Sequence, residues 1–421
     1  MPLADAIVVP MPSRFLRVLL ALVTVCGVGC GPESPTETAA AFVEQHWHRP
    51  LAPQGAPPVS YSPREASLGA ESCGSCHVQQ FEDWKGARHS HTMRAGILWQ
   101  LHVFDQAEAN SCLDCHAPLA EQKALVARTL GWSAAPQGPA PAYVPQDLHL
   151  QGLTCASCHV RGHERFGPPS RQGLTGQESG LPHGGFRPTA AFEDSRFCAS
   201  CHQFPDDGPR LNGKLRQDTY NEWLRSDFGA RGQTCQSCHM PDRRHLWRGI
   251  SDPATVRKAL DVALELQPAG EGRARLRLRA QNTGVGHHFP AYLVPRVEML
   301  VVPVGPDGQE HEALLRHVFQ WRADVALTGE DYDSRLPAGA VVGLETEVEL
   351  PHEPGWTLQV LLDVAPKEHY ERLYQNMLGQ APRMDANTVA LLRLALVEAQ
   401  GSRYRTELLA RPYAPDRAVA N

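Results

Sequence analysis

Cysteine is almost absent from this chain outside five short strings. Of 12 cysteines in 421 residues, only Cys26 and Cys30 lie elsewhere, both near the N-terminus. No thiol is left for a disulfide framework of the kind that staples small secreted domains. An excess of positive charge is also lacking. Lys and Arg number 40 against 46 Asp and Glu, a formal net charge of −6, which excludes the electrostatic footprint of a nucleic-acid partner. The uncharged run from Val18 to Gly29, 12 residues long, is too short to span a bilayer comfortably.

What is present is one frame repeated. Cys-x-x-Cys-His occurs at Cys73, Cys76 and His77; at Cys112, Cys115 and His116; at Cys155, Cys158 and His159; at Cys198, Cys201 and His202; and at Cys235, Cys238 and His239. Composition alone would produce roughly 0.02 such frames. A redox dithiol needs one Cys-x-x-Cys, and a zinc site needs two pairs or distant histidines. Neither requires His directly after the second Cys every time. Covalent c-type haem does: both thiols add to the porphyrin vinyl groups, and the adjacent imidazole becomes the proximal iron ligand. The frames predict five covalently attached haem c groups. They make the ten cysteines cofactor-binding residues and the five histidines metal ligands.

The ends and the texture divide the chain. Arg14 and Arg17 precede the uncharged run, as in a secretory signal. Gly27-Val28-Gly29-Cys30 resembles a bacterial lipoprotein cleavage box, with Gly27 where Leu is commonest. Residues 1–29 are read as a lipoprotein-type signal peptide, with Cys30 as a lipid anchor and the mature chain in the periplasm, tethered to a membrane. Residues 30–67, rich in Pro, Ala and Ser, read as a tether in which His46 and His48 could reach back to a haem but read first as linker residues. Residues 68–250 form a pentahaem domain of short helices and loops packed around porphyrin, since roughly 36 residues per haem leave little room for another core.

Past Cys238 cysteine disappears and long alternations begin. In residues 251–421 we expect a mainly-β, sandwich-like domain with one or two helices. Strands are predicted around 257–267, 294–304, 313–321 and 357–365. Arg273, Arg275, Arg277 and Arg279 share one strand face, and Glu345, Glu347 and Glu349 share another. Their matching period predicts that the two strands are neighbours. Tyr370, Leu373, Tyr374, Met377 and Leu378 recur at helical spacing.

Beyond the frames, several segments resemble multihaem cytochromes c related to hydroxylamine oxidoreductase and to the tetrahaem cytochrome that accepts its electrons. FEDWKGARHSH is similar to the family's W-x-x-S-x-H segment, with Trp84 and His89 matching and Ala87 in place of Ser. HGGFRPTAAFEDSRFCASCH is similar to the segment in which a histidine, here His183, precedes an attachment frame. CQSCHMPDRRHLWRG resembles the end of the haem domain, with His245 at the ligand position. NTGVGHHFP resembles an Asn-x-x-x-Gly-His-x-x-Pro element that opens appended β-domains, matching Asn282, Gly286, His287 and Pro290. The resemblance covers about residues 70–300 and implies distal iron ligands at His89, His183, His245 and His287. A fifth is sought at His163, with His91, His102 and His149 as alternatives. His311, His317, His352 and His369 read as surface residues.

The distal ligands decide function, because an iron with histidine on both faces passes electrons whereas one with an open sixth position binds substrate. The expectation is an electron carrier rather than a catalyst, exchanging electrons with redox proteins such as other cytochromes or a quinol-oxidising complex. The alternative is a multihaem oxidoreductase acting on nitrogen or sulfur compounds at one open haem. Against it, pentahaem nitrite reductases use Cys-x-x-Cys-Lys at the catalytic haem, and all five frames here end in His.

Overall fold

The computed structural model describes residues 35–178, 180–270, 273–349 and 353–413. The expected signal peptide and the Cys30 anchor lie outside the described residues. Among those described, no helix is long and apolar enough to cross a membrane.

The front of the molecule consists of short helices joined by loops. Helix α1 (Pro35–His46) opens it, followed among others by α2 (Ala95–Leu101), α3 (Gln106–His116) and α4 (Thr219–Leu224). The segment expected to be a tether is instead part of the core from residue 35 onward. Ala39, Val43, Trp47 and Leu51 are buried against Leu68, Leu119, Leu148 and Ala156. The reason is amphipathic spacing, with Ala39, Val43 and His46 recurring one helical turn apart. The stretch after it is pinned by partners more than 60 residues away: Arg161 donates to the His46 carbonyl (2.8 Å), and Gln54 N–H donates to Glu121 (2.6 Å).

The rear is a β-sandwich. Strands β1 (Leu260–Gly270), β2 (Arg273–Asn282) and β5 (Val341–Glu349) make one antiparallel sheet in the order β5-β2-β1. Strands β3 (Arg296–Val304), β4 (Leu315–Phe319), β6 (Trp356–Ala365) and β7 (Tyr404–Tyr413) make the other, in the order β7-β6-β3-β4. One core fills the space between them: Leu264, Leu276 and Leu278 from the first sheet meet Met299, Phe319, Leu358 and Leu362 from the second.

Strands β2 and β5 are neighbours, as the charge pattern predicts. Arg273 faces Glu349, Arg275 faces Glu347, and Arg277 faces Glu345. The Arg277–Glu345 and Arg275–Glu345 ion pairs measure 2.6 and 3.2 Å. These side chains stand in solvent, so they specify register more than they stabilise it.

Helices α5 (Glu368–Leu378) and α6 (Ala386–Gln400) leave the sandwich and pack on α2 in the front domain. There Tyr374, Leu392, Ala395 and Ala399 bury Ala95 and Trp99. The expected helix at 370–378 is α5. Helix α6 and strand β7 were not foreseen. In α6 the run VALLRLALV is apolar on nearly every side, so no periodicity marks it. His369, expected on the surface, is 2% exposed on α5. His352 lies outside the described residues.

The sandwich core, and not the charged ladder, should dominate stability. Leu278→Ala, at a position 1% exposed, should cost about 2–5 kcal/mol. Arg277→Ala should leave the urea midpoint close to that of the parent. Comparable losses for the two variants would contradict this division.

Candidate metal centres

Each frame sits on a turn of helix, which is what its chemistry needs. In a helix, residues i, i+3 and i+4 share one face, so the two thiols and the histidine of Cys-x-x-Cys-His converge. Four frames end a helix on the attachment histidine: Gln106–His116, Cys155–His159, Arg196–His202 and Cys235–His239. In the first, Cys73 lies in Ala70–Gly74 and His77 caps the helix that follows. All ten frame cysteines are free thiols.

Histidines outside the frames meet attachment histidines in twos. His89 stands 6.3 Å from His202, His245 stands 6.1 Å from His159, and His287 stands 6.4 Å from His239, ring centre to ring centre. With a metal–nitrogen bond of about 2.0 Å and a ring centre about 1.1 Å behind the nitrogen, two imidazoles facing across one metal would be about 6.2 Å apart. Among the described residues no group of three or more His, Cys, Asp and Glu side chains gathers to hold a metal ion, as a zinc cage would require. His183 lies near His77, as do His159 and His245.

Hydrogen bonds at the other ring nitrogen orient most of these imidazoles. The Nδ1 atoms of His183, His245 and His287 bond the carbonyls of Gly185 (2.9 Å), Arg243 (3.1 Å) and His288 (2.8 Å). Those of His116, His159 and His239 bond the carbonyls of Thr92 (3.0 Å), Phe166 (2.7 Å) and Arg248 (2.6 Å). With Nδ1 donating, Nε2 carries the free lone pair that a metal takes.

Burial keeps the rings neutral, as ligation demands. It lowers His89 to about 3, with a smaller push from His202, and His159, His202 and His287 to about 4. His202 sits among many protein atoms yet keeps part of its ring accessible to solvent. Paired neutral imidazoles and free thiols on one helical face fit a covalent haem.

The loops bearing the outer histidines are held from far away. Glu65 accepts from the His183 backbone N–H (2.8 Å), and Asp83 accepts from that of His245 (3.1 Å). Glu222 accepts from that of His288, next to His287 (3.1 Å). Tyr61 adds a bond to the His183 carbonyl (2.6 Å). His183 has φ 47°, and Asp242 and Arg243 beside His245 have φ 54° and 59°. These left-handed positions need such restraint. Sequence reasoning passed over all three carboxylates. They are separated from their loops by 118, 162 and 66 residues, and no local pattern announces them.

His163 is placed otherwise. It is 1% exposed and has φ 62°, its Nε2 is bonded to the Gly55 carbonyl (3.1 Å), and its ring is edge-on to Tyr143 at 4.7 Å. That nitrogen is already used, so the ring as placed would offer a metal only its Nδ1, which is buried without a hydrogen-bond partner among the described residues. His46 is similar: it is buried, with Nε2 on the Cys158 carbonyl at 2.8 Å. His102 and His149 contact Asn387 (3.3 Å) and Thr129 (3.5 Å), and His91 lies near Arg94, Arg88 and Glu398. His116 stands apart from the other attachment histidines. Its ring is lowered by burial and steadied by Thr92, with no histidine among its electrostatic neighbours.

The frames also touch one another. The thiols of Cys73 and Cys155, of Cys115 and Cys201, and of Cys198 and Cys235 lie close together. Cys158 lies within electrostatic reach of both Cys198 and Cys201. The fourth frame thus adjoins the second, third and fifth, and the first adjoins the third.

A histidine lowered on folding takes up a proton more readily in the unfolded chain. The stability it contributes is complete above the unfolded value of about 6.5 and is lost as pH falls toward the folded value. The lowered carboxylates Glu65 and Asp83 act in the same direction at lower pH. Unfolding free energy should therefore fall steadily on acidification below about pH 6.5. A rise between pH 6.5 and 4.5 in urea titrations would contradict the burial of these rings.

No family model matches the chain, and no curated protein matches it. Among solved structures, a penta-heme cytochrome c552 from Thermochromatium tepidum matches with a TM-score of 0.55 at 16% identity, over 83% of this chain and 100% of that one. The sporulation control protein Spo0M from Bacillus subtilis covers 25% of this chain and 42% of its own, at 12% identity and a TM-score of 0.12, too low to bear on the fold. With the frames and the imidazole pairs in place, the fold is that of a multihaem cytochrome c.

Proposed function

We propose that the chain is an exported pentahaem cytochrome c that carries electrons in a respiratory chain, mostly through haems with histidine on both faces. The observation that carries this reading is the set of three imidazole pairs at 6.1–6.4 Å, each joining an attachment histidine to a histidine from a distant segment. On this reading His89 completes the fourth haem, His245 the third, His287 the fifth and His183 the first. Such irons are saturated and exchange electrons only. Adjacency of the frames gives the path, from the first to the third to the fourth, with branches to the second and fifth. The donor and acceptor are redox proteins, other cytochromes or a quinol-oxidising complex. Lipidation at Cys30 would hold the protein to the periplasmic face of a membrane.

One observation favours a second reading, an oxidoreductase acting on a small nitrogen or sulfur compound. Among the described residues no histidine figures in the electrostatic surroundings of His116, and the polar groups near its frame are of another kind. Tyr370 comes from α5 and lies near Tyr292 and Cys112, and Tyr292 in turn lies near Arg88. Hydroxyl donors and a cation beside an open sixth position would suit a small polar substrate.

Mass spectrometry of the denatured mature protein should show five covalent haems, and fewer than four would overturn the reading. Electron paramagnetic resonance of the oxidised protein should show low-spin irons and one high-spin component, assigned to the His116 haem. The reduced protein should bind about one carbon monoxide per chain. A wholly low-spin protein that binds none would remove the enzymatic alternative. His245→Ala should convert one further haem to high spin, whereas His163→Ala should convert none. The reverse outcome would exchange the roles assigned to these residues.

A further inference from the structure

We propose that Glu222 is the positioning residue for the ligand that the β-domain supplies to the fifth haem, and so the latch that makes the two domains one redox unit. This rests on the reading of His287 as a distal ligand.

Glu222 belongs to α4 in the front domain, between the fourth and fifth frames, and its side chain is 4% exposed. It reaches across to the loop between β2 and β3. One carboxylate oxygen accepts the His288 backbone N–H at 3.1 Å. The other stands 3.0 Å from His288 Nδ1, off the line of a hydrogen bond, and 3.2 Å from the equally buried Arg335 guanidinium. Burial pushes the carboxyl pKa up, but His288 and Arg335 outweigh it and hold Glu222 ionised. Arg335 is itself fixed by Asp333 (2.9 Å), by the Ala291 carbonyl (2.8 Å) and by the Trp321 ring, 4.5 Å away.

The effect falls on His287. Its carbonyl accepts from Asn282 (3.0 Å), and its Nδ1 bonds the His288 carbonyl (2.8 Å). The ring is therefore oriented by the very residue whose backbone Glu222 grips. Remove that grip, and the loop loses a backbone bond to the front domain while His239 stays in place across the gap. Glu65 at His183 and Asp83 at His245 repeat the device within the front domain. At His287 it spans two domains, so domain docking and ligand position become one equilibrium.

The test uses the full haem-loaded protein. His287→Ala comes first: it should convert one haem to high spin and add one carbon monoxide per chain. If it changes nothing in a folded protein, the reading of His287 as ligand fails. If it behaves as expected, Glu222→Ala should produce the same conversion in part or whole, at unchanged haem content and circular dichroism. Glu222→Gln, which keeps an acceptor for the His288 N–H, should stay low-spin. Glu222→Asp keeps the charge opposite Arg335 but withdraws the acceptor by one methylene, and should resemble Glu222→Ala. This variant decides the matter if Glu222→Ala does not fold. A Glu222→Asp protein with every haem as in the parent, beside a converted His287→Ala protein, would overturn the proposal.

Discussion

The constraint on which the rest of this structure depends is the separation of two imidazoles. A ring lifted from water must stay neutral, find a bond for Nδ1 and bring Nε2 to a fixed place. Helical frames solve half of this locally, because one turn places both thiols and the proximal ring together. The other half is non-local. Each outer histidine arrives from a segment with no sequence relation to the ring it faces: His89 follows the first frame but meets the fourth, and His245 follows the fifth but meets the third. The chain is thereby wound back on itself, and short helices with few strands suffice because the pairings carry the topology.

Loops that do this work are costly to hold. Several residues on or near them adopt left-handed backbone, which a side chain other than Gly resists. A carboxylate accepting the loop's backbone N–H answers the strain, and it remains ionised at neutral pH because its partners outweigh burial. At Asp83 the largest such contribution is the paired bond to Arg244, at 2.6 Å through each oxygen. An ion pair of this kind adds little net stability by itself, since desolvation offsets attraction, but losing one member leaves the other exposed to the full cost. Its value lies in fixing one geometry.

The sequence made legible what is local. The frames follow from adjacent residues, and the Arg and Glu faces from a period of two. The packed segment after residue 35 was misjudged because its evidence is tertiary: Pro-rich composition dominates locally, while the bonds of Gln54 and His46 reach Glu121 and Arg161. His163 follows a frame closely, but the carbonyl that takes its Nε2 belongs to Gly55, 108 residues away, and no local pattern shows it. The carboxylate grips were invisible for the same reason as the tether's packing, since their partners are far apart in sequence. Helix α6 escaped because it is buried against α2 and α5 and carries apolar residues around most of its circumference, which erases the helical period.

The β-domain is more than an appendage hung behind a haem domain. Its loop places His287 opposite His239, and its helices α5 and α6 close over α2 beside the second frame, bringing Tyr370 toward Cys112. On the proposed reading the β-domain would contribute an imidazole at the first of these places, completing a carrier site, and hydroxyls at the second, leaving that site open to a small ligand. Because both contributions ride on the same packed body, a shift in domain docking would alter the fifth and second sites together. The front domain alone would carry its remaining pairs without either distinction.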